Sequence, residues 1–246
     1  MTVGVPAGAV PYVTTEQMIE VDRAMMEDYR IELVQMMENA GRNLAHLARE
    51  LFLDGDPRDR TVVVLAGTGG NGGGAMVCAR RLSNYGASVT TYVTKPDDEL
   101  APVPGQQLDI LRRMGVAVAP AEDVAAQRDP DLVIDGVIGY SLRGNPRSTA
   151  ADLIRWSNDQ PAPILALDAP SGVDTTTGTV FEPAVRATAT MTLALPKEGL
   201  RAPGVEELVG ALYLADISVP PSLYAEPALR VSVGPIFAHS DIILLS

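Results

Sequence analysis

The segment that most constrains the fold of this chain lies between Thr61 and Tyr85. It begins with the apolar, β-branched run at 61–66, continues through 67–74, where six of eight residues are glycine, and ends in a helical pattern at 75–85. Glycine accepts positive φ and has no Cβ, so backbone N–H groups in such a turn can approach a phosphate closely. The following helix directs its positive end to the same place. Strand, turn and helix together predict a site for a phosphorylated ligand.

The glycine turn matches two familiar phosphate-binding motifs poorly. Gly67, Gly69 and Gly72 satisfy G-x-G-x-x-G, but a turn so rich in glycine matches that pattern by chance. The residues 74–76 lack the Lys and Ser/Thr of a Walker-type loop, and no acidic residue ends the next predicted strand, at 88–94, to hold a ribose. The alternative is a glycine turn that only packs a helix closely against a sheet.

Apolar strand patterns alternate with helical patterns from residue 61 onward. The predicted strands lie at 61–66, 88–94, 116–118, 131–135, 163–168, 188–194 and 210–216. Helices are predicted at 75–85, 104–114 and 149–158. This alternation, with strands that are almost continuously apolar, is typical of an α/β fold in which helices cover both faces of a mostly parallel sheet.

A helical segment precedes the first of these strands. Thr14 and Gln17 form a plausible capping box, and apolar residues then recur at helical spacing with a break near Tyr29 and Arg30, which predicts two helices. We interpret the methionines of this segment as flexible core or interface residues. A chain of 246 residues fits one domain, with an irregular arm at 1–13 and an extension at 221–246.

Composition excludes several classes of protein. The formal charge of −12, from 31 acidic and 19 basic residues without a basic cluster, argues against nucleic-acid binding. The single cysteine, Cys78, excludes an intrachain disulfide, and we interpret it as an inert core residue. His46 and His239 are the only histidines, which argues against a histidine-based metal site. No signal peptide or long apolar span stands out, so we expect no membrane association and a cytoplasmic location.

Polar residues follow three of the predicted strands directly. Asn71 lies in the glycine turn, Asp135 ends the strand at 131–135, and Asp168 ends the strand at 163–168, with Ser171 close behind. Ligands of open parallel sheets bind beyond the carboxyl ends of the strands, so these side chains predict one polar rim. A buried aspartate needs a partner, and the oxygens of this set would suit a cation. Alternatively, the two aspartates cap the turns that follow them.

Four sequence blocks occur in the order and spacing of one known family. They are Met37-Glu38-Asn39-Ala40-Gly41-Arg42, the glycine turn, the stretch 135–144, and Leu167-Asp168-Ala169-Pro170-Ser171-Gly172-Val173-Asp174. Together they resemble the NAD(P)H-hydrate epimerase family, the YjeF N-terminal domain, from about Thr15 to Pro220. The segments 194–200 and 210–217 also look like later strands of that family.

The resemblance implies a three-layer α/β/α Rossmann-like domain that is commonly a homodimer. Enzymes of the family epimerise the hydrated nicotinamide ring of damaged NADH or NADPH, so that a dehydratase specific for one epimer can restore the cofactor. The family's potassium ligands correspond to Asn71, Asp135 and Ser171. Its substrate contacts correspond to Gly70, Asn71, Gly72, Gly73, Gly74, Gly139, Tyr140, Ser141, Leu142, Arg143, Gly144, Asn145 and Asp168.

Three of the charged residues carry specific interpretations. We interpret Asp168 as the general base, because an acid–base step needs a titratable group within reach of the proton that moves. Arg143 would suit a phosphate, although a solvated loop charge explains it equally well. Lys197 is the second candidate base, but we prefer to interpret it as a surface residue.

The chain departs from the family pattern at the glycine turn and beyond it. Family members usually read G-N-N-G-G-D-G, whereas here Gly70 replaces the first Asn, Gly74 the Asp and Ala75 the last Gly. Tyr140 and Ser141 stand where small residues, often Thr-Gly in bacterial relatives, are common. If the missing aspartate takes part in proton transfer, epimerisation should be weak or absent.

The leading hypothesis is therefore an isomerase that epimerises hydrated NADH and NADPH. One alternative is a family member with altered or lost catalysis that binds a nucleotide-like ligand. Another is an isomerase or cyclase that acts on a different small substrate in a biosynthetic pathway.

Overall fold

The computed structural model describes residues 3–4 and 10–245, and within them nine strands form one sheet. The strands are β1 (Val3–Gly4), β2 (Thr61–Ala66), β3 (Ser88–Val93), β4 (Ala117–Pro120), β5 (Leu132–Gly136), β6 (Ile164–Leu167), β7 (Ala189–Leu193), β8 (Ala211–Ala215) and β9 (Ile242–Leu244). Their order across the sheet is β1-β9-β8-β7-β6-β5-β2-β3-β4, and every neighbouring pair except β8 and β9 is parallel.

Helices cover both faces of this sheet. They are α1 (Thr15–Glu27), α2 (Leu33–Phe52), α3 (Gly70–Asn84), α4 (Pro102–Arg113), α5 (Ser148–Asn158) and the short α6 (Glu206–Val209) and α7 (Pro221–Tyr224). In β2, Val62 and Val64 pack with α2, α3 and α4, whereas Val63 and Leu65 pack with α5. Alternate residues of a strand face opposite sides, so a strand between two helical layers must be apolar throughout. The three-layer α/β/α prediction is confirmed.

The seven predicted strands are all present, with bounds that differ by two residues or fewer. The predicted capping box is also present, because Thr14 and Gln17 bond each other's backbone N–H groups at the start of α1. The break between the two N-terminal helices lies at 28–32. Cys78 is buried in α3, where burial raises the pKa of its thiol, as expected of a core residue.

Three features of the fold differ from the sequence predictions. The helix predicted at 75–85 begins at Gly70 instead, so most of the glycine turn is helical. The arm predicted to be irregular at 1–13 contributes β1, and Val13 forms a parallel bridge with Lys197. The extension at 221–246 contributes β9, which pairs antiparallel with β8. Among the described residues, no helix combines the length and the apolar character needed to cross a bilayer.

Candidate functional site

The site lies where the order of the strands reverses. From β2 the chain continues outward to β3 and β4, and it returns on the other side of β2 as β5. The segments that follow β2 and β5 meet there, because Gly67 N donates to Gly136 O at 3.0 Å. Ligands of open α/β sheets bind in the crevice at such a switch point, beyond the carboxyl ends of the strands.

The start of α3 forms one side of this crevice. Its first helical hydrogen bond runs from Gly73 N to Gly69 O at 3.0 Å, so the N–H groups of residues 70–72 precede the helical ladder and make no backbone hydrogen bond. Gly69 and Gly70 are exposed. Free N–H groups and the positive end of the helix dipole make this a suitable anion site.

Two glycines are required here by close backbone contacts. A Cβ at Gly72 would lie 1.9 Å from Gly67 O, and a Cβ at Gly67 would lie 2.0 Å from Val137 O. Both clashes involve backbone atoms, which cannot rotate away as a side chain can. At Gly70, by contrast, a Cβ would meet no described atom within 4 Å. The helix therefore begins in a glycine segment because the close packing of Gly72 against Gly67 overrides the low helix propensity of glycine.

These contacts predict different costs for two neighbouring alanine substitutions. Gly72→Ala is expected to lower the free energy of unfolding by about 3 kcal/mol, because the methyl group forces the start of α3 away from the backbone of Gly67. Gly70→Ala, on the same helical turn, is the control and should change it by less than about 1 kcal/mol. Urea unfolding of both variants measures the difference. Equal stabilities would show that the turn after β2 can accommodate a methyl group at position 72.

Asp135 and Ser171 form a buried hydrogen-bonded pair below the crevice. Both residues are 0 % exposed. The Asp135 carboxylate accepts bonds from Ser171 Oγ (2.6 Å), Ser171 N (2.8 Å) and Val137 N (3.2 Å). Burial raises the pKa of the Asp135 carboxyl, and these hydrogen bonds oppose that rise. No Lys, Arg or His among the described residues forms an ion pair with it.

Asn71 joins this pair at the turn that follows β5. Its Nδ2 donates to Leu167 O at 2.7 Å, and its Oδ1 lies against Gly139, where a Cβ would come within 2.8 Å of that oxygen. Ile138, the residue before Gly139 in this turn, donates its N–H to Ser171 Oγ at 2.8 Å. The structure thus brings together the three residues that we predicted as cation ligands.

The chemistry of these three residues fits a monovalent cation. They offer one carboxylate that has no positive partner in the described part of the chain, together with amide and hydroxyl oxygens. Potassium is held in proteins by such oxygens in place of its hydration shell. No cluster of three His, Cys, Asp or Glu side chains suited to a metal occurs in residues 3–4 and 10–245, so this set has a low ligand charge.

Asp168 forms a second buried centre, at the end of β6. It is 2 % exposed and has a φ of 67°, in the left-handed region that a non-glycine residue rarely adopts. Its carboxylate forms an ion pair with Lys197 and lies 3.3 Å from both Thr192 Oγ1 and Leu193 N. A strained residue of this kind persists only where its surroundings hold it firmly, and such residues cluster at functional sites.

The surface position predicted for Lys197 is wrong. Lys197 is 1 % exposed, and its Nζ donates to Asp168 Oδ1 and, at 2.9 Å, to Leu193 O. Its backbone is fixed on both sides by Val13, whose N donates to Pro196 O and whose O accepts from Glu198 N, each at 2.9 Å. A lysine is buried in this way only when a carboxylate offsets its charge.

A cavity of about 640 Å³ connects the start of α3 with the Asp168–Lys197 pair. Helices α1 and α2 form its other side through residues such as Met18, Met36 and Met37. Six of the predicted substrate-binding residues line it: Gly70, Asn71, Gly139, Tyr140, Ser141 and Asp168. The other seven predicted residues are not among the described residues that line the cavity: Gly72, Gly73, Gly74, Leu142, Arg143, Gly144 and Asn145.

Tyr140 and Asp22 form a contact in this cavity that the sequence analysis missed. Asp22 lies on α1, and the Tyr140 hydroxyl, from the turn after β5, donates to Asp22 Oδ2. The sequence does mark Asp22 as unusual, because this carboxylate interrupts the apolar stripe formed by Met18, Val21 and Met25 on α1. A carboxylate on the buried stripe of a helix needs a partner, although the stripe does not reveal which one.

Comparison with known proteins identifies the family. The model for the YjeF-related protein N-terminus matches residues 33–199, which include the start of α3, Asp135, Asp168 and Lys197. The chain belongs to this family.

Curated relatives within the YjeF-related family carry two kinds of name. The chain is 42% identical over 232 residues to an NAD(P)H-hydrate epimerase of Dehalogenimonas lykanthroporepellens, covering 94% of this chain and 91% of the relative. It is 32% identical to an NAD(P)H-hydrate epimerase of Rhodopirellula baltica, with 87% of each chain covered. It is 34% identical to the bifunctional NAD(P)H-hydrate repair enzyme Nnr of Salinibacter ruber, but it spans only 41% of that protein.

A solved structure supports the fold. The crystal structure of the yeast protein ynu0 matches with a TM-score of 0.80 at 22% identity, covering 96% of this chain and 100% of the yeast chain. At this level of identity the likeness shows that the YjeF-related chain shares the yeast protein's fold and says nothing of its activity.

Proposed function

We propose that this protein is an NAD(P)H-hydrate epimerase, an isomerase that interconverts the two epimers of hydrated NADH and NADPH. The observation that supports this most strongly is the 42% identity, over nearly the full length of both chains, to an NAD(P)H-hydrate epimerase. The site agrees with it, because an anion-binding helix start and a buried carboxylate border one cavity. The helix start would bind the phosphates of a dinucleotide, and the buried carboxylate would transfer the proton in an epimerisation.

The chemistry of the substrate defines what the site must do. Water adds to the electron-rich double bond beside the ring nitrogen of a dihydronicotinamide, and the hydroxyl then lies on the carbon bonded to that nitrogen. Such a hemiaminal inverts when its carbon–nitrogen bond breaks, the resulting aldehyde rotates, and the bond forms again on the other face. The step requires a base for the hydroxyl proton and an acid for the ring nitrogen.

Asp168 is the base in this proposal. Its carboxylate lies at the cavity wall, and Lys197, Thr192 and Leu193 hold it there. The ion pair and the left-handed backbone fix the position of the carboxylate before the substrate arrives, and a fixed base needs no reorganisation during reaction. With Gly74 in place of the family aspartate, the carboxylates in the described lining are those of Asp22, Glu27 and Asp168, and Asp168 alone of these follows a strand of the sheet.

The phosphates are placed at the start of α3. The N–H groups of Gly70 and Asn71 would bind the diphosphate, since the two cationic side chains in the described lining, Arg23 and Lys197, are each paired with carboxylates. Backbone donors can bind an anion in an acidic protein because they carry local positive potential without a formal charge.

Potassium is the proposed cofactor, with Asn71, Asp135 and Ser171 as its ligands. It would supply the positive charge that the buried Asp135 carboxylate otherwise lacks, and its ligands would come from the start of α3, the end of β5 and the segment after β6. The support is the uncompensated carboxylate and the convergence of the three side chains on residues 137–139. The arrangement of the start of α3 and of the turn after β5, which both border the cavity, would then depend on the ion.

Potassium should therefore stabilise the protein by mass action. We expect the free energy of unfolding to rise by about 2.7 kcal/mol when the potassium concentration is 100 times Kd, relative to choline chloride at equal ionic strength. Asp135→Asn should remove this increment, because the amide carries no charge to offset. Thermal unfolding in both salts measures it. Identical midpoints for the wild-type protein in potassium and in choline would contradict the proposed ion site.

The proposed function is tested with separated epimers. The purified protein is incubated with one epimer of hydrated NADH, and the other epimer is followed by chromatography against the spontaneous exchange. Clear acceleration supports the proposal. Calorimetric binding of NADP⁺ without acceleration would instead support the alternative, a family member that binds a nucleotide but has lost the reaction.

The homodimer and the cytoplasmic location implied at the outset stay predictions. We propose a homodimer, which sedimentation equilibrium of the purified protein would test directly.

A further inference from the structure

A second pair of proton-carrying side chains lies in the cavity beside the Asp168–Lys197 pair. Tyr140 extends from the turn after β5, and its hydroxyl donates to Oδ2 of Asp22 on α1. Both residues line the cavity and are half-buried. The bond joins residues 118 positions apart in the chain and connects α1 to the turn at the carboxyl end of β5.

The surroundings of this pair disfavour negative charge. Burial is the main cause that raises the pKa of the Asp22 carboxyl, and the nearby charge of Asp168 adds to it, whereas the Tyr140 hydrogen bond and Lys197 oppose it. Burial, and next the charge of Asp22, raise the pKa of Tyr140. Burial, and next the charges of Asp216 and Asp22, raise the pKa of the Tyr224 hydroxyl on α7. Tyr140 thus remains protonated under ordinary conditions.

We propose that Tyr140 is the catalytic acid that protonates the ring nitrogen of the hydrate, and that Asp22 is a positioning residue that orients its hydroxyl. This inference rests on the proposed epimerase function and assigns the acid that the reaction requires alongside Asp168. Residues at two separate places in the cavity would then handle the two protons.

The protons and electrons of the step balance without a further reactant. Asp168 takes the hydroxyl proton, the carbon–oxygen bond becomes a carbonyl, and the carbon–nitrogen bond breaks with its electron pair going to nitrogen. Nitrogen takes the proton from Tyr140. After the aldehyde rotates, nitrogen attacks its other face, the proton on nitrogen returns to Tyr140, and Asp168 returns its proton to oxygen. Nothing is oxidised or reduced.

Asp22 determines where the Tyr140 hydroxyl points. When Asp22 is ionised it can only accept, so the Tyr140 hydroxyl donates its proton to Asp22 Oδ2 and is not free to donate to the substrate. When Asp22 is protonated it can donate to the Tyr140 oxygen instead, which leaves the Tyr140 hydroxyl free to donate to the ring nitrogen. Protonated Asp22 can also replace the proton that Tyr140 gives up. The active form is therefore the one with neutral Asp22.

The pair is tested with Tyr140→Phe and Asp22→Asn in the exchange of separated epimers. Tyr140→Phe is expected to lower kcat by roughly 100-fold, as loss of a general acid does, with Kd for NADP⁺ changed by less than about 3-fold. Tyr29→Phe is the matched control, because Tyr29 also donates to a carboxylate, that of Glu226, but lies outside the described cavity lining. It should leave kcat unchanged.

The pH profile separates this role from a merely structural link between α1 and the turn. In the wild-type protein, kcat should fall on the alkaline side as Asp22 loses its proton, and the raised pKa of Asp22 places that fall above the ordinary carboxyl range. In Asp22→Asn this fall should be absent. A profile for Asp22→Asn that matches the wild type, or a Tyr140→Phe variant with unchanged kcat, would overturn the assignment.

A structural link alone would give a different result. Loss of the bond would then lower stability and weaken NADP⁺ binding in both variants while kcat and its pH profile stayed as in the wild type, and this outcome also overturns the assignment. Failure of the wild-type protein to accelerate exchange would overturn the epimerase proposal and the acid with it. An active wild type with an equally active Tyr140→Phe would overturn the acid alone.

Discussion

Asp168→Asn should lower the rate of epimer exchange by roughly 10³-fold. The substitution keeps the size of the side chain and suits a left-handed backbone, since Asn adopts that conformation as readily as Asp does. It removes the proton acceptor, and the loss of a positioned general base costs between about 10² and 10⁴ in rate. Exchange between separated epimers, followed by chromatography at saturating substrate, measures the effect on kcat.

A binding measurement and a control variant distinguish the loss of the base from the loss of the fold. Calorimetric titration with NADP⁺ should show binding by Asp168→Asn, because the start of α3 is untouched. Asp152→Asn removes a carboxylate from an exposed ion pair with Arg155, and it should keep the wild-type rate. An Asp168→Asn variant within about 3-fold of the wild type would show that the base is another group.

Lys197→Met should lower the free energy of unfolding by about 3 to 5 kcal/mol. Lys197 and Asp168 are 1 % and 2 % exposed, so removing the lysine leaves a buried carboxylate without its positive partner. Methionine fills a similar volume, which limits the contribution of an empty space to the loss. Urea unfolding gives the difference, provided that the dependence of the free energy on urea concentration is the same for both proteins.

The double variant Asp168→Asn/Lys197→Met isolates the interaction between the two charges. It should be more stable than Lys197→Met alone, because neither buried charge then remains without a partner. The exposed pair of Asp152 and Arg155 is the control, and Arg155→Met should cost less than about 1 kcal/mol. Additive losses in the double variant would contradict a stabilising contact between Asp168 and Lys197.

The sequence predicted the sheet well because its strands are buried on both faces. Such strands are continuous apolar runs, as at 62–66 and 164–167, and a run of that kind needs no distant information to be recognised. The strands at the two ends of the chain were missed. With two residues in β1 and three in β9, they are too short for a periodic pattern to develop.

The start of α3 was predicted five residues too late for a physical reason. Glycine has low helix propensity, so the sequence favours a turn through Gly70 and Gly74. The helix begins earlier because Gly72 must pack against the backbone of Gly67, a contact that only the folded turn creates. Local propensity is a weak guide wherever tertiary packing sets the conformation.

The rim of the site was predictable, but the pairing of its charges was not. Asn71, Asp135 and Asp168 follow strand ends, and the topology of a parallel sheet brings such positions together. Lys197 lies 29 residues after Asp168, and Asp22 lies 118 residues before Tyr140. No periodic pattern extends over such separations, so a buried lysine is indistinguishable in sequence from an exposed one.

The left-handed backbone of Asp168 bears on how this protein would respond to directed evolution. A non-glycine residue in this conformation costs about 1 kcal/mol, and a buried ion pair is often less stabilising than apolar residues of the same volume. Asp168→Gly would relieve the first cost, and together with Lys197→Met it would remove both buried charges. Selection for heat resistance alone would therefore favour variants that have lost the carboxylate, so a thermostable form should be selected with the exchange assay in place at every round.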